Sequence, residues 1–134
     1  MEVVVQRYFA AYGGANLECA VSDLYKITTI NEWSAAVTKG MFKGSALDLK
    51  DGYIHLSTAD QAGDTARLHF AGQTDLLLVA IPESSVSEHL KWETSRGGKL
   101  FPHLYAMLDP SSALWVKPLL WDGTAHIFPR EFSA

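Results

Sequence analysis

Both strong helix signals of this 134-residue sequence lie in its first half, and this order constrains the fold more than any other feature. Thr29 and Glu32 have the spacing of a capping box, and apolar residues then recur at helical spacing up to Gly40. A second capping motif at residues 57–60 predicts a helix that continues to about Phe70. Two early helices followed by several strands favour an α+β domain over a regular alternation of strands and helices.

The strand signals are short runs with alternating or continuous apolar residues. Residues 75–81 contain a continuous apolar run, which is expected at the centre of a sheet. Residues 114–121 form a second apolar run, and Pro118 within it predicts a strand at the sheet edge because proline lacks an N–H. Residues 41–52 are interpreted as a connecting loop. The other predicted strands cover residues 24–28, 53–57, 90–93, 100–108 and 126–128. We expect these strands to form mixed or antiparallel sheets.

Composition narrows the choice of partners and compartment. Eleven Lys and Arg against fifteen Asp and Glu give a net charge of −4, which disfavours long nucleic acids and membranes but leaves room for a small anionic ligand at a local site. A single cysteine and the lack of a recognisable export signal or membrane span predict a cytoplasmic protein. The five histidines lack metal-ligand spacing, so no metal is expected.

The first candidate site is the strand that precedes the second helix. Alternation places Tyr53, His55 and Ser57 on one face of this strand, and Asp60 follows in the first turn of the helix. An aromatic ring, an imidazole, a hydroxyl and a carboxylate would then meet at a helix N-terminus, whose free N–H groups favour anions. The alternative is structural: Ser57 and Asp60 cap the helix, and His55 is a half-buried side chain.

The second candidate site is the loop at residues 96–99. The Arg96 guanidinium can hold a phosphate or carboxylate through two hydrogen bonds, and Gly97 and Gly98 let backbone amides approach the same anion. The alternative is a solvated hairpin turn. Because His103 and Tyr105 share a strand face beyond the loop, the strands that carry His55 and His103 are expected to line one cleft.

The second candidate site also includes Trp92 and Glu93, which precede the loop. Trp92 is a candidate wall for a planar ligand, and the alternative for its indole is a place in the core.

A series of motifs spread along the chain carries a family resemblance. They are residues 24–28, Trp33, Gly40, residues 52–61, Thr65 with Ala66, His69 with Phe70, Trp92 with Glu93, residues 96–98 and residues 101–105. Together they resemble the bacterial domain-of-unknown-function 952 family over roughly residues 23–121. The first 22 residues lie outside the match and are interpreted as an N-terminal extension to a single domain at residues 23–134.

The resemblance also implies a fold. The family is similar to the ADP-ribosyltransferase superfamily, which implies an α+β architecture that holds NAD in a cleft between two sheets. The RNA 2′-phosphotransferase branch of that superfamily has a His-Leu-Ser segment, matched here by His55-Leu56-Ser57, and a first-strand histidine, where this sequence has Lys26. Lys26 is expected to hold a phosphate or ribose there. Glu93 is the candidate for the late-strand carboxylate that stabilises the ribosyl oxocarbenium ion in glutamate-dependent members.

Sequence and resemblance together predict an ADP-ribosyltransferase-like domain that binds a nucleotide or phosphorylated small molecule, with NAD as the candidate cofactor. ADP-ribosyl transfer or NAD glycohydrolysis is the expected chemistry. His55, Glu93 and His103 are the predicted catalytic residues, and the predicted ligand-binding residues are Lys26, Tyr53, Ser57, Arg96, Gly97, Gly98 and Tyr105. Two alternatives stay open: a catalytically inactive binding or regulatory module of the same fold, and an NAD-independent enzyme that acts on a phosphorylated metabolite.

Overall fold

The computed structural model describes residues 22–132 and has the expected α+β architecture. Its strands are β1 (Asp23–Thr29), β2 (Ile54–His55), β3 (Leu76–Pro82), β4 (Leu90–Thr94), β5 (Leu100–Leu104), β6 (Trp115–Trp121) and β7 (His126–Ile127). Its helices are α1 (Ile30–Lys39), α2 (Ala46–Asp51) and α3 (Ala59–His69), and none of them is long and apolar enough to cross a membrane. Residues 1–21 of the predicted extension lie outside the described residues.

All strand pairs in the two sheets are antiparallel. The larger sheet has the order β1-β3-β6-β7, with the apolar strand β3 in its interior as predicted, and the smaller sheet has the order β2-β5-β4. In the smaller sheet the register places His55 of β2 directly opposite His103 of β5. The two histidine-bearing strands are therefore neighbours.

Among the described residues, one backbone bridge joins the two sheets, just beyond the end of β2. The Tyr25 N–H donates to the Ser57 carbonyl at 2.8 Å, and the Ser57 N–H donates to the Tyr25 carbonyl at 2.9 Å. Since Lys26 follows Tyr25 on β1, this bridge brings polar side chains from both sheets to one junction.

Apolar side chains cover both faces of the larger sheet. Trp33 of α1 and Phe42 pack in one buried cluster with side chains of the first face, and Ala62 and Ala66 of α3 pack in a second cluster against the other. The small side chains on α3 let this helix lie close to the sheet, as expected for close-packed interiors. The two buried apolar clusters thus hold the larger sheet and its helices in place around the junction.

The helix boundaries follow local capping chemistry. The Thr29 hydroxyl accepts from the Glu32 N–H at 3.1 Å, and α1 ends at Gly40 with a positive φ of 81°, both as predicted. The cap of α3 is shifted by one residue from the prediction, because its N-cap is Thr58, whose N–H donates to the Gln61 side chain at 3.1 Å. The structural alternative is therefore wrong in making Ser57 and Asp60 the cap of this helix, but its half-buried His55 is confirmed, since the side chain is 30% exposed.

Several predicted elements differ from the structure in their bounds. The predicted loop at residues 41–52 contains helix α2, the predicted strand at residues 53–57 is reduced to Ile54–His55, and the predicted strand at residues 100–108 ends at Leu104. Strand β6 is at the sheet edge only up to Leu119, because β7 pairs with it through Leu120 and Trp121. Pro118 lies in the edge part, where β6 has a partner on only one side and the missing N–H of proline is tolerated.

Candidate functional site

A cleft of about 720 Å³ opens at the junction of the two sheets. Its walls come from β1, β2, β5, α1, α2, α3 and the turn at Arg96–Gly98. Five of the predicted site residues line it: Lys26, His55, Ser57, Arg96 and His103. A concave space of this size that collects several polar groups is typical of a small-molecule site.

Asp48 binds the side chains of His55 and Lys26 on one side of the cleft, and it was not among the predicted site residues. Its side chain is 1% exposed. Oδ1 accepts from the His55 backbone N–H at 3.0 Å and from His55 Nδ1 at 2.6 Å, while Oδ2 accepts from Lys26 Nζ at 2.7 Å and from the Ser45 N–H at 2.8 Å. Burial alone would raise the pKa of Asp48, but the bonds from His55 and the Lys26 ammonium outweigh it and hold the pKa below its usual range.

The position of Asp48 follows from the start of α2. Asp48 is the third residue of that helix and forms a capping box with Ser45, whose hydroxyl accepts from the Asp48 N–H at 3.3 Å. Gly44 lets the chain pass close by: its φ is +120°, and a Cβ at this position would lie 2.5 Å from Asp48 Cβ. A capping box therefore serves here to place a buried carboxylate under His55.

His55 is held at both ring nitrogens by α2. Nδ1 bonds to Asp48, and Nε2 lies 3.0 Å from Oδ2 of Asp51, the last residue of the helix. The His55 carbonyl accepts from Lys26 Nζ at 3.1 Å. Lys26 thus lies in the cleft lining as predicted, but its buried ammonium is already engaged by protein oxygens.

His103 forms the second histidine–carboxylate pair. Its Nδ1 lies 2.8 Å from Oε1 of Glu93, which also accepts from the Tyr105 hydroxyl at 2.8 Å. The bond from His103 and then that from Tyr105 lower the pKa of Glu93, and donation to Glu93 raises the pKa of Tyr105 to about 12. His103 lines the cleft and Glu93 does not, so Glu93 reaches the cleft through the His103 ring.

Aromatic rings surround the two histidines on the outer face of the smaller sheet. Tyr53 stacks on His103 with ring centroids 4.1 Å apart, and it also contacts His55 at 4.6 Å and Tyr105 at 5.2 Å. The rings of His55 and His103 are 5.6 Å apart. Tyr53 and Tyr105 therefore adjoin the cleft without lining it. Trp92 is exposed and does not line the cleft, since alternation along β4 places it on the face opposite Glu93.

Arg96 forms the cationic part of the cleft. Nη2 donates to the Thr65 hydroxyl at 3.2 Å, Nη1 lies 3.2 Å from His69 Nε2, and the guanidinium lies 4.8 Å from the centroid of the Phe101 ring. No carboxylate among residues 22–132 lies within ion-pair distance of Arg96. The Thr65 hydroxyl also bonds to that of Ser57 at 3.2 Å, which links Ser57 to the guanidinium.

The cleft has walls of different charge. The wall formed by α1 and α2 presents Glu32 and Asp51, while the charge of Asp48 is buried and paired with Lys26. The wall formed by α3 and the Arg96 turn presents Arg96 with His69. A ligand that complements both walls would carry an anionic group on one side and a cationic or hydroxyl-bearing group on the other.

The two loop glycines take different positions. Both have positive φ, 70° at Gly97 and 75° at Gly98, as a tight turn requires. Gly97 lines a smaller cavity of about 380 Å³ beside the main cleft, which shares Arg96 and Phe101 with it, and Gly98 lines neither cavity. The prediction that the backbone amides of both glycines approach one anion beside Arg96 does not fit this geometry, because neither glycine lines the main cleft.

Sequence reasoning missed several polar residues of the cleft lining, among them Asp48, Asp51, Thr65 and His69. The first two lie in the helix that was interpreted as a loop, and the Ser45–Asp48 capping spacing was the available signal. Thr65 and His69 are four residues apart on α3, a spacing that places them on the same helical face. Within the described part of the chain, no group of three His, Cys, Asp or Glu side chains could hold a metal ion.

Comparison with known proteins gives a family but no activity. The model of a family described as "Protein of unknown function (DUF952)" matches residues 27–116. The crystal structure of protein CC0527 from Caulobacter crescentus is similar to this chain, with 46% sequence identity, a TM-score of 0.75 and coverage of 78% of this chain and 92% of that chain. The solution NMR structure of CC0527 has the same identity, a TM-score of 0.70 and coverage of 78% and 90%. No curated protein matches the chain.

Proposed function

Because the chain belongs to the DUF952 family, whose function is unknown, we propose its function from the cleft itself: it is an enzyme that binds a phosphorylated small molecule and acts on it through His55 and His103. The observation that carries this proposal is the pairing of the two histidines. They lie opposite each other on adjacent strands, and each has its Nδ1 bonded to a carboxylate. A carboxylate at one ring nitrogen orients the imidazole and directs the other nitrogen at the substrate.

Arg96 supports a phosphorylated ligand. Its guanidinium is fixed by Thr65 and Phe101 but is not neutralised by a carboxylate in residues 22–132. Planar guanidinium groups bind phosphate and carboxylate oxygens through paired hydrogen bonds. Ser57, linked to Arg96 through Thr65, is placed to contact the same ligand.

NAD is the first candidate ligand, because it combines phosphates with a positively charged nicotinamide ring and so complements both walls of the cleft. The resemblance to the ADP-ribosyltransferase superfamily favours the same choice. In the proposed reaction the bond between nicotinamide and ribose C1′ breaks, nicotinamide leaves with the bonding electron pair, and an acceptor or water oxygen bonds to C1′. His103 takes the proton from that oxygen, and Glu93 holds the His103 ring and stabilises its positive charge.

The test combines binding and turnover. Calorimetric titration with NAD should give heat, and incubation should release nicotinamide, detected by chromatography. Arg96→Gln should weaken NAD binding about tenfold or more, since a charge-assisted hydrogen bond is lost. Arg67→Gln is the matched control, because Arg67 is exposed, lies on α3 and does not line the cleft. His103→Asn should lower kcat on the order of a hundredfold or more with little change in KM.

An NAD-independent enzyme that acts on a phosphorylated metabolite is the second candidate, favoured by the same pair of histidines. Paired imidazoles serve as general acid and general base in many group transfers, with or without a nucleotide cofactor. Mass spectrometry of small molecules that co-purify with the protein separates the two. If NAD gives neither heat nor nicotinamide, the first candidate is refuted. If a co-purifying phosphorylated metabolite is then consumed by the wild type and not by His103→Asn, the second is supported.

A further inference from the structure

The two carboxylates of α2 hold His55 in different ways. Asp48 is almost fully buried and each of its oxygens accepts from two donors. Asp51 ends the helix and its side chain is 35% exposed. Within residues 22–132 its one ion pair is with His55 Nε2, at 3.0 Å. Asp48 is therefore a fixed partner of the imidazole, whereas Asp51 can leave for solvent.

His55 Nε2 is the nitrogen that remains for a ligand once Asp48 holds Nδ1. His55 and Asp51 both line the main cleft, so their contact lies where a ligand would bind. Nε2 and Asp51 Oδ2 are 3.0 Å apart, which is ion-pair distance. A phosphate oxygen is an acceptor of the same kind as a carboxylate oxygen and can take the same place beside Nε2.

We propose that Asp51 is an internal competitor of the ligand: in the free protein its carboxylate occupies the place beside His55 Nε2 that an anionic oxygen of the ligand takes when it binds. An entering anion has to displace Asp51 from Nε2 and to approach its negative charge, and both effects lower the affinity for the anion. The Asp51–His55 contact thus weakens the binding of anionic ligands at this end of the cleft.

Inorganic phosphate is the probe, and NMR signals of the histidine ring nitrogens are the readout. In Asp51→Asn without ligand, the Nε2 signal of His55 should move, while the Nδ1 signal remains that of a nitrogen bonded to Asp48. Phosphate should then bind Asp51→Asn about tenfold more tightly than wild type, since it no longer competes with a carboxylate. Asp75→Asn is the charge-matched control, because Asp75 is exposed and outside the cleft lining. It should change neither the signal nor the affinity.

Unchanged or weaker phosphate binding by Asp51→Asn would overturn the proposal, as would a lack of phosphate binding to both proteins. An equal gain in Asp75→Asn would overturn it too, because general electrostatics would then explain the effect. The proposal rests on the proposed function only for the identity of the natural anion. If Asp51→Asn binds phosphate more tightly but the wild type turns over neither NAD nor a metabolite, the role of Asp51 is supported and the proposed enzymatic function is refuted. If the wild type shows turnover but Asp51→Asn gains no phosphate affinity, the enzymatic function is supported and the role of Asp51 is refuted.

Discussion

Replacing Asp48 with asparagine removes the charge that neutralises Lys26 while nearly preserving the shape of the side chain. Lys26 is 4% exposed, and its Nζ lies 2.7 Å from Asp48 Oδ2. Breaking a buried ion pair by removing one partner typically costs about 3–5 kcal/mol, because the other charge stays buried without compensation. We therefore expect Asp48→Asn to lower the free energy of unfolding by about that amount, a large part of the stability of a domain this size.

The assay is urea unfolding at neutral pH, followed by tryptophan fluorescence, for Asp48→Asn, Lys26→Met and the double variant. Lys26→Met leaves Asp48 with three hydrogen-bond donors, so it should lower the free energy of unfolding less than Asp48→Asn does. In the Asp48→Asn background, Lys26→Met should recover roughly 1–3 kcal/mol, since it removes the uncompensated charge. A loss below about 1 kcal/mol in Asp48→Asn, which is typical of an exposed pair, would refute the reasoning. A further loss on adding Lys26→Met would also refute it.

Three further outcomes follow from the same contacts. The folded pKa of Asp48 is lowered, so the stabilisation from its carboxylate is present above the unfolded pKa of about 4 and is lost as the pH falls towards the folded pKa. When the free energy of unfolding is measured at decreasing pH, it should therefore fall less steeply in Asp48→Asn than in wild type. Gly44→Ala should lower the unfolding free energy by about 1–3 kcal/mol more than Gly123→Ala, because both glycines have positive φ but only Gly44 meets a neighbouring side chain. Glu93→Ala should lower the pKa of Tyr105 from about 12, measured by ultraviolet titration against Tyr105→Phe; an unchanged pKa would show that Glu93 does not hold the hydroxyl.

Local signals account for what the sequence predicted. The Thr29–Glu32 capping box and Gly40 bound α1, and the apolar run of β3 marks the interior strand, because both depend on neighbours along the chain. Alternation alone also placed His55 and His103 on strands that would line one cleft, and the register confirms that they are directly opposite.

The features of the fold and the site that the sequence did not predict depend on contacts between distant segments. Helix α2 has only six residues, and its apolar side chains Leu47 and Leu49 are exposed, so it lacks the buried stripe that marks a helix in sequence. The Glu93–His103 bond depends on the register of β4 against β5, which residue spacing does not reveal.

A crystal structure of the protein soaked with NAD tests the central claim most directly. The account predicts density for the ligand in the main cleft, with phosphate oxygens within hydrogen-bond distance of Arg96 and the ribose beside His55 and His103. A cleft that stays empty at saturating NAD and at saturating inorganic phosphate, in crystals whose cleft is open to solvent, would contradict the proposal that this protein acts on a phosphorylated small molecule.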